Sequence, residues 1–276
     1  MAQQKTVKVG ELSIANNLPF TLIAGPCVIE DEKGALSAAE KLKKMTDELK
    51  IGFIYKSSYD KGNRSSIESF RGLGMKRGLT ILQKVKQKFG IPVLSDIHNE
   101  MEIPQAAEVL DIIQIPAYLC RQTDILIAAA KTGRVINVKK GQFLAPGDMG
   151  NVVDKVVKSG NDRVLITERG TTFGYNNLVS DFRALPIMAE TGYPVIFDAT
   201  HSVQLPGGQG TSSGGERRFV APLARAALAV GAAGVFMEVH PDPDNAPCDG
   251  PNMLKLKDMP RLLADLLAID TIAKKK

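Results

Sequence analysis

Eight apolar runs of strand length recur along this chain with helical patterns between them, and seven of the eight end in a charged or metal-capable side chain. In order, the ends carry Cys27, Lys56, Asp96 with His98, Gln114, Lys139, Arg169, His201 and Glu238. The exception, Asp111-Ile112-Ile113-Gln114, ends in an amide. His98, His201 and His240, all the histidines of the chain, fall just after such runs. Chance would scatter these groups. Strands alternating with helices, with polar residues gathered at the strand ends, are how an α/β protein of the (β/α)8 TIM-barrel type is written when its site occupies the carboxyl face.

A chain of 276 residues suits one such barrel domain, and no interdomain linker or internal repeat interrupts it. The expected division is an N-terminal hairpin over residues 1–20 and a barrel over 21–276. The hairpin is Val7 to Ile14, turning near Gly10 and capping the amino-terminal mouth, the bottom of the barrel. Aromatics are only 5% and tryptophan is absent, so Ile, Leu, Val, Ala and Met must build the core. The net charge of +5 suits small anions. It does not argue for nucleic acid, because no basic stripe is interleaved with aromatics. No apolar run reaches the ~18–20 residues of a membrane span, and the N-terminus has no signal-peptide core, so no membrane partner is expected. Cys27, Cys120 and Cys248 are well spread and read as reduced thiols of a cytoplasmic protein.

Helical spacing predicts helices over Gly34–Lys50, within Ile67–Phe89, over Glu100–Val109 and Gln122–Lys131, after Asp148, within Leu178–Thr191, over Phe219–Val230 and from Lys257 onward. The long loop from Ser202 to Glu216, rich in Gly, Ser and Gln, reads as a lid or binding loop. Gly207-Gly208-Gln209-Gly210 inside it lacks the strand–turn–helix setting of a nucleotide fingerprint.

Two constellations carry chemistry. Lys56-Ser57-Ser58-Tyr59-Asp60-Lys61-Gly62-Asn63-Arg64-Ser65-Ser66 mixes cations, an amide and hydroxyls in one loop, the mixture that phosphate oxygens prefer; a solvated loop is the plain alternative. Lys139 and Arg169 would join Lys56 and Lys61 in the same mouth, where four cations repel unless an anion sits among them. The second constellation is Cys27, His201, Glu238 and Asp249, after strands that become neighbours when the barrel closes. It could hold zinc, iron or manganese. Without CxxC or HExxH spacing it reads equally as a buried thiol, a hydrogen-bonded histidine and loop carboxylates. Cys120 and Cys248 read as small hydrophobes.

The chain resembles the 3-deoxy-D-manno-octulosonate 8-phosphate synthase family over nearly its whole length. Lys61-Gly62-Asn63-Arg64-Ser65-Ser66 is close to that family's Lys-Ala-Asn-Arg-Ser-Ser signature, with Gly62 in place of alanine. Gln114-Ile115-Pro116-Ala117, Arg121-Gln122-Thr123-Asp124, Asn137-Val138-Lys139-Lys140, Phe173-Gly174-Tyr175 and His240-Pro241-Asp242-Pro243 match in order. The sister 3-deoxy-D-arabino-heptulosonate 7-phosphate synthases usually carry Pro-Arg-Thr-Ser where this chain has Asn63-Arg64-Ser65-Ser66. A barrel that binds phosphorylated sugars without turnover is the alternative from another class.

The resemblance implies condensation of phosphoenolpyruvate with D-arabinose 5-phosphate and water, releasing phosphate, in the route to the Kdo sugar of lipopolysaccharide. It implies that phosphoenolpyruvate is held by Lys56, Ser58, Lys61, Gln114, the Ala117 backbone, Lys139 and Arg169. Arabinose 5-phosphate would meet Asn63, Arg64 and Ser65, with Asp96 near its hydroxyls. Arg64 and Ser65 would reach a neighbouring subunit's site, which implies a homotetramer. Cysteine at position 27 marks the metal-dependent branch, giving Cys27, His201, Glu238 and Asp249 as ligands of a divalent metal ion. Cys248-Asp249-Gly250-Pro251 resembles the metal-independent branch instead. Lys56, Lys139 and Arg169 would stabilise charge developing on oxygen, and Asp96 and His98 would serve proton transfer.

Overall fold

The alternation of side chains along each strand decides which residues reach the site. In a computed structural model of the chain, which describes residues 3–208 and 214–275, a hairpin of β1 (Val7–Val9) and β2 (Leu12–Ile14) turns at Gly10, φ +57°. Its Val7, Val9 and Ile14 are buried in one cluster with Ile23, Ile54, Leu94, Ile112, Val135, Leu165, Ile196 and Phe236, one residue from each barrel strand. Leu12 approaches Gly52 at the start of a barrel strand, so the hairpin plugs the amino-terminal mouth as expected.

The barrel strands are β3 (Thr21–Gly25), β4 (Gly52–Lys56), β5 (Val93–Asp96), β6 (Ile112–Ile115), β7 (Val135–Lys139) and β8 (Val164–Glu168). After the short β9 (Thr171–Thr172) and β10 (Leu178–Val179) come β11 (Val195–Asp198), β12 (Gln204–Leu205), β13 (Gly214–Gly215), β14 (Gly234–His240) and β15 (Leu254–Lys255). Parallel pairing runs from β3 through β8 to β11, and β14 closes the ring by pairing with both β11 and β3. Around it lie α1 (Glu32–Leu49), α2 (Met75–Phe89), α3 (Ile103–Val109), α4 (Thr123–Lys131), α5 (Met149–Lys158), α6 (Ala184–Ala189), α7 (Val220–Ala229) and α8 (Met259–Ala273). The Asp31 side chain caps α1 by accepting from Gly34 N at 2.6 Å, satisfying one of the first-turn amides that lack a helical partner. The outward strand residues, among them Leu22, Phe53, Val93, Ile136, Ile166 and Val235, pack on the helices in the second and larger cluster.

Successive side chains on a strand point to opposite faces. Counting by two from the interior apolar layer therefore gives the inward residues at the carboxyl end. Ile54 leads to Lys56, Leu94 to Asp96, Ile112 to Gln114, Val135 to Asn137 and Lys139. Leu165 leads to Thr167 and Arg169, Ile196 to Asp198 and Phe236 to Glu238. Gly25 completes this layer without a side chain: a Cβ there would lie 2.0 Å from the Lys56 carbonyl oxygen, so β3 and β4 approach closely only with glycine.

Helices α2 and α6 lie within the segments expected to hold them. Helix α2 starts at Met75, and residues 67–74 belong to the preceding loop. Within Leu178–Thr191 the chain first forms β10, paired antiparallel with β9, and is helical over Ala184–Ala189. The loop after β11 carries a short hairpin of β12 and β13, while its middle, including Gln209 and Gly210, lies outside the described residues. No helix among the described residues is long and apolar enough to cross a membrane.

Candidate active site

A cavity of about 700 Å³ opens at the carboxyl face of the barrel. Of the expected residues, Lys56, Lys61, Asn63, Arg64, Ser65, Asp96, His98, Gln114, Ala117, Lys139, Arg169, His201 and Asp249 line it together. Asn63, Arg64 and Ser65 line the cavity of their own chain. Ser58 is fully buried behind the wall and donates to Asp96 Oδ1 at 2.7 Å, so it orients a lining residue. Cys27 and Glu238 are buried at the floor.

The cations are largely partnered within the wall. Lys56 Nζ donates to Glu238 Oε1 at 2.8 Å and to the Cys27 carbonyl at 3.3 Å. Burial pushes the Lys56 ammonium down, but Glu238 and Asp96 outweigh it and hold its pKa above the ordinary value. Lys61 Nζ lies 3.6 Å from the same Glu238 oxygen. Lys139 Nζ pairs with Asp198 Oδ2 and sits 4.4 Å above the Phe236 ring. Arg169 keeps free donors: Nη2 donates to Gln204 Oε1 at 2.9 Å, while Nε and Nη1 are buried with no partner among the described residues, and on the loop after β4 Arg64 Nη2 is likewise buried without one. A buried, unpaired guanidinium edge is costly unless an anion completes it. The four-cation argument for an anion therefore rests on Arg169 above all.

Asp198 is a residue that the apolar pattern hid. It is fully buried, accepts from the His201 backbone N–H at 2.9 Å and lies 2.8 Å from His201 Nδ1 through its second oxygen. Burial would raise its pKa, but His201 and Lys139 hold it well below the carboxylate range. An Nδ1–H donated to Asp198 leaves His201 Nε2 as the free ring nitrogen, pointing to Glu238 Oε2 at 3.7 Å and Asp249 Oδ2 at 3.9 Å. The signal available in the sequence was its position three residues before His201, at the end of an apolar run. Gln204 was missed for the same reason as most loop amides: nothing in the sequence marks its bridge from Arg169 to Asp249 Oδ1 at 3.4 Å. Gln114 accepts from Asn137 at 2.9 Å, and Asn137 accepts from Thr167 at 2.7 Å, a buried polar layer beneath the cavity.

The expected ligand quartet comes together around Asp249, but as two triads. His201, Glu238 and Asp249 form one; Cys27, Cys248 and Asp249 form the other, the donor atoms of each lying within 4.8 Å of one another. Glu238 Oε2 is buried and has no hydrogen-bond partner among the described residues, the state of a carboxylate oxygen still able to bind a cation. Burial would raise its carboxyl pKa, but Lys56, Lys61 and His201 hold it down as a carboxylate. Nitrogen, sulfur and carboxylate donors at these separations fit a borderline divalent ion.

The cysteines require a correction. Cys27 and Cys248, 221 positions apart, come together with their sulfur atoms in contact and Cα atoms 6.4 Å apart, while Cys120 is buried away from them. Cys27 Sγ also lies 3.2 Å from Asp249 Oδ2. Cys248 is therefore a neighbour of the metal-capable cluster instead of an isolated hydrophobe. Reduction of the pair is a condition for Cys27 to act as a thiolate ligand.

His98, on the opposite side of the cavity, has Nε2 3.5 Å from Asp96 Oδ2 and Nδ1 3.3 Å from Glu102 Oε2. Its role is taken up below.

Comparison with known proteins bears on what this arrangement does. The chain matches the family described as DAHP synthetase I over residues 2–274. It is 62% identical over 270 residues to the 2-dehydro-3-deoxyphosphooctonate aldolase of Geotalea daltonii, covering 98% of this chain and 99% of that one. It is 61% identical over 269 residues to the proteins of the same name from Brucella ovis and Brucella melitensis biotype 1, covering 98% of this chain and 97% of each.

Proposed function

The chain belongs to the DAHP synthetase I family, and on that premise we infer that it catalyses the 2-dehydro-3-deoxyphosphooctonate aldolase reaction named for its relatives. This is the condensation of phosphoenolpyruvate with D-arabinose 5-phosphate and water, releasing phosphate. Arg169 is the observation that carries the reading: two buried, unpartnered donors face a cavity in which Lys56 and Lys139 are already paired with carboxylates.

In this reading Arg169, Lys139, Gln114 and the Ala117 backbone receive phosphoenolpyruvate beside Lys56 and Lys61, with Ser58 acting through Asp96. Asn63, Arg64 and Ser65 receive the phosphate of the sugar. The enol carbon forms a bond to the aldehyde carbon, whose oxygen becomes a hydroxyl by taking a proton. Water adds to the former enol-ether carbon, and cleavage of its bond to the phosphate oxygen leaves a ketone and inorganic phosphate. Negative charge develops on oxygen throughout, so preorganised cations lower the barrier. Asp96 and His98 stand where a proton could be moved to the aldehyde oxygen. His201, Glu238, Asp249 and, when reduced, Cys27 would hold a divalent cation. Such an ion would supply Lewis-acid polarisation of the aldehyde or a more acidic water.

The exposed apolar side chains Ile67, Phe143, Phe173 and Tyr175, on loops beyond the strand ends, support association into a tetramer. A reducing cytoplasm, where phosphoenolpyruvate is made, suits both the substrates and a Cys27 thiolate. The test of the substrate assignment is product mass with arabinose 5-phosphate and erythrose 4-phosphate in competition. The octulosonate phosphate should dominate; a dominant heptulosonate phosphate would reverse the assignment.

A further inference from the structure

Glu102 lies outside the substrate and metal groups described above, yet its carboxylate accepts from every side. Oε2 accepts from the His98 backbone N–H at 3.0 Å and from Tyr59 Oη at 2.6 Å, and lies 3.3 Å from His98 Nδ1; Oε1 accepts from Asn99 Nδ2 at 2.7 Å. The other ring nitrogen, Nε2, faces Asp96 Oδ2 at 3.5 Å. An imidazole between two carboxylates satisfies both only when both nitrogens carry protons. Tyr59 stacks edge-on to the ring at a centroid distance of 6.0 Å.

The space the ring occupies depends on Gly62. A Cβ on Gly62 would lie 2.7 Å from His98 Cδ2 and 3.0 Å from Cγ. Glycine at this position lets the loop close over the face of the ring while Glu102 holds its edge.

We propose that Glu102 is a positioning residue for the condensation, fixing His98 as an imidazolium whose Nε2–H is presented beside Asp96 at the cavity wall. Burial alone would lower the His98 pKa, but hydrogen bonds and charge from Asp96 and Glu102 raise it from 6.5 to about 9. The groups facing the ring from the surrounding elements are Asp96 at the end of β5, Glu102 on the following turn, and Tyr59 and Gly62 on the loop after β4. Lys61 on that loop and Lys56 at the end of β4 act on the ring through Asp96, whose carboxyl burial raises but which Lys56, His98 and Lys61 hold well below its usual range. Tyr118 is on the cavity wall beyond β6. Held in this way, His98 carries a proton at neutral pH that a developing alkoxide could accept, with Asp96 orienting the donor.

The proposal rests on the synthase reading for its purpose, but its test needs no turnover. The imidazole resonances of the substrate-free protein are titrated by NMR, with His98 assigned by loss of its signal in His98→Asn. In wild type, the His98 ring should remain doubly protonated through pH 8; a neutral ring at pH 7.5 would overturn the proposal without any question of folding. In Glu102→Gln the midpoint should fall by at least one pH unit, a tenfold change in proton affinity, and Glu102→Asp should recover part of it. An unchanged midpoint in a folded Glu102→Gln protein would reduce Glu102 to a structural residue. Under turnover, the basic limb of the kcat profile should move down in the same variant, which simple loss of stability would not produce.

Discussion

The ammonium of Lys56 donates to Glu238 Oε1 at 2.8 Å, tying a cation proposed for phosphoenolpyruvate to a carboxylate proposed for the metal. Both side chains are about 1% exposed, so neither has water to fall back on. Glu238→Gln would leave Lys56 buried with a neutral neighbour. Breaking a buried pair on one side costs about 3–5 kcal/mol, whereas replacing both partners by apolar residues costs far less. Urea denaturation should therefore show Glu238→Gln as strongly destabilised, and Lys56→Met/Glu238→Leu as less so than the single-site losses added together. Additive losses would show the pair to be uncoupled.

The adjacency of the Cys27 and Cys248 sulfurs makes cation binding depend on whether these thiols are kept reduced. Protein reduced with dithiothreitol and then freed of reductant should retain a divalent ion on dialysis, measured by metal analysis, while peroxide-treated protein with the pair oxidised should not. Cys27→Ser should lose affinity in both states. Equal retention by oxidised and reduced protein would remove Cys27 from the ligand set.

Arg64 lines the cavity on the loop after β4, with Nε donating to the Phe70 carbonyl at 3.2 Å and leaving much of its guanidinium for a ligand. Loss of a charge-assisted hydrogen bond costs about 1.5–3 kcal/mol, or roughly ten- to a hundredfold in affinity. Arg64→Ala should raise KM for arabinose 5-phosphate by about that factor and KM for phosphoenolpyruvate little. Steady-state kinetics with each substrate varied in turn checks this, and an equal rise in both would contradict the assignment.

The strand-end residues were legible because a charge that closes an apolar run is conspicuous, and the period of two then sends it inward. Lys56, Asp96, Gln114, Lys139, Arg169 and Glu238 were all readable in this way. Asp198 was not, because a strand ending one residue earlier, at Phe197, looks equally complete in sequence; its importance lies in what it touches. Cys248 reads as a small hydrophobe until folding brings it across 221 positions to Cys27. Residues 178–183 carry apolar spacing compatible with a helix, but β10 pairs with β9 and takes the first of them into a hairpin. The end of α4 was easier, since the left-handed Gly133, φ +67°, is local in sequence, whereas the Asp31 cap was missed and α1 was expected only from Gly34.

Stability should respond to pH in two windows. His98 has its pKa raised to about 9 in the folded chain, so its contribution is complete below 6.5 and is lost as pH rises through 9. At most this is worth about 3 kcal/mol. Asp96, Asp198 and Glu238 have their folded-state pKa values depressed, so their contribution is present above about pH 4 and is lost as pH falls. Urea midpoints measured from pH 3 to pH 10 should form a plateau between these limits. In His98→Asn the alkaline decline should be shallower, and an identical decline would assign it to other groups.

Gly62→Ala places a methyl against the His98 ring. At 2.7 Å the contact cannot stand, so the loop must shift or the ring must turn from Asp96. The expected result is a fall in kcat with no more than about 1–2 kcal/mol lost in stability. Stopped-flow turnover and thermal unfolding measured side by side separate the two, and unchanged kcat would show that the ring has room to spare.

The most direct test of the account is phosphate release from phosphoenolpyruvate in the presence of arabinose 5-phosphate, measured on reduced protein before chelation, after chelation and after re-addition of a divalent metal. The account predicts release that requires the sugar phosphate, disappears on chelation and returns with the metal. Absence of sugar-dependent release under all three conditions would contradict it.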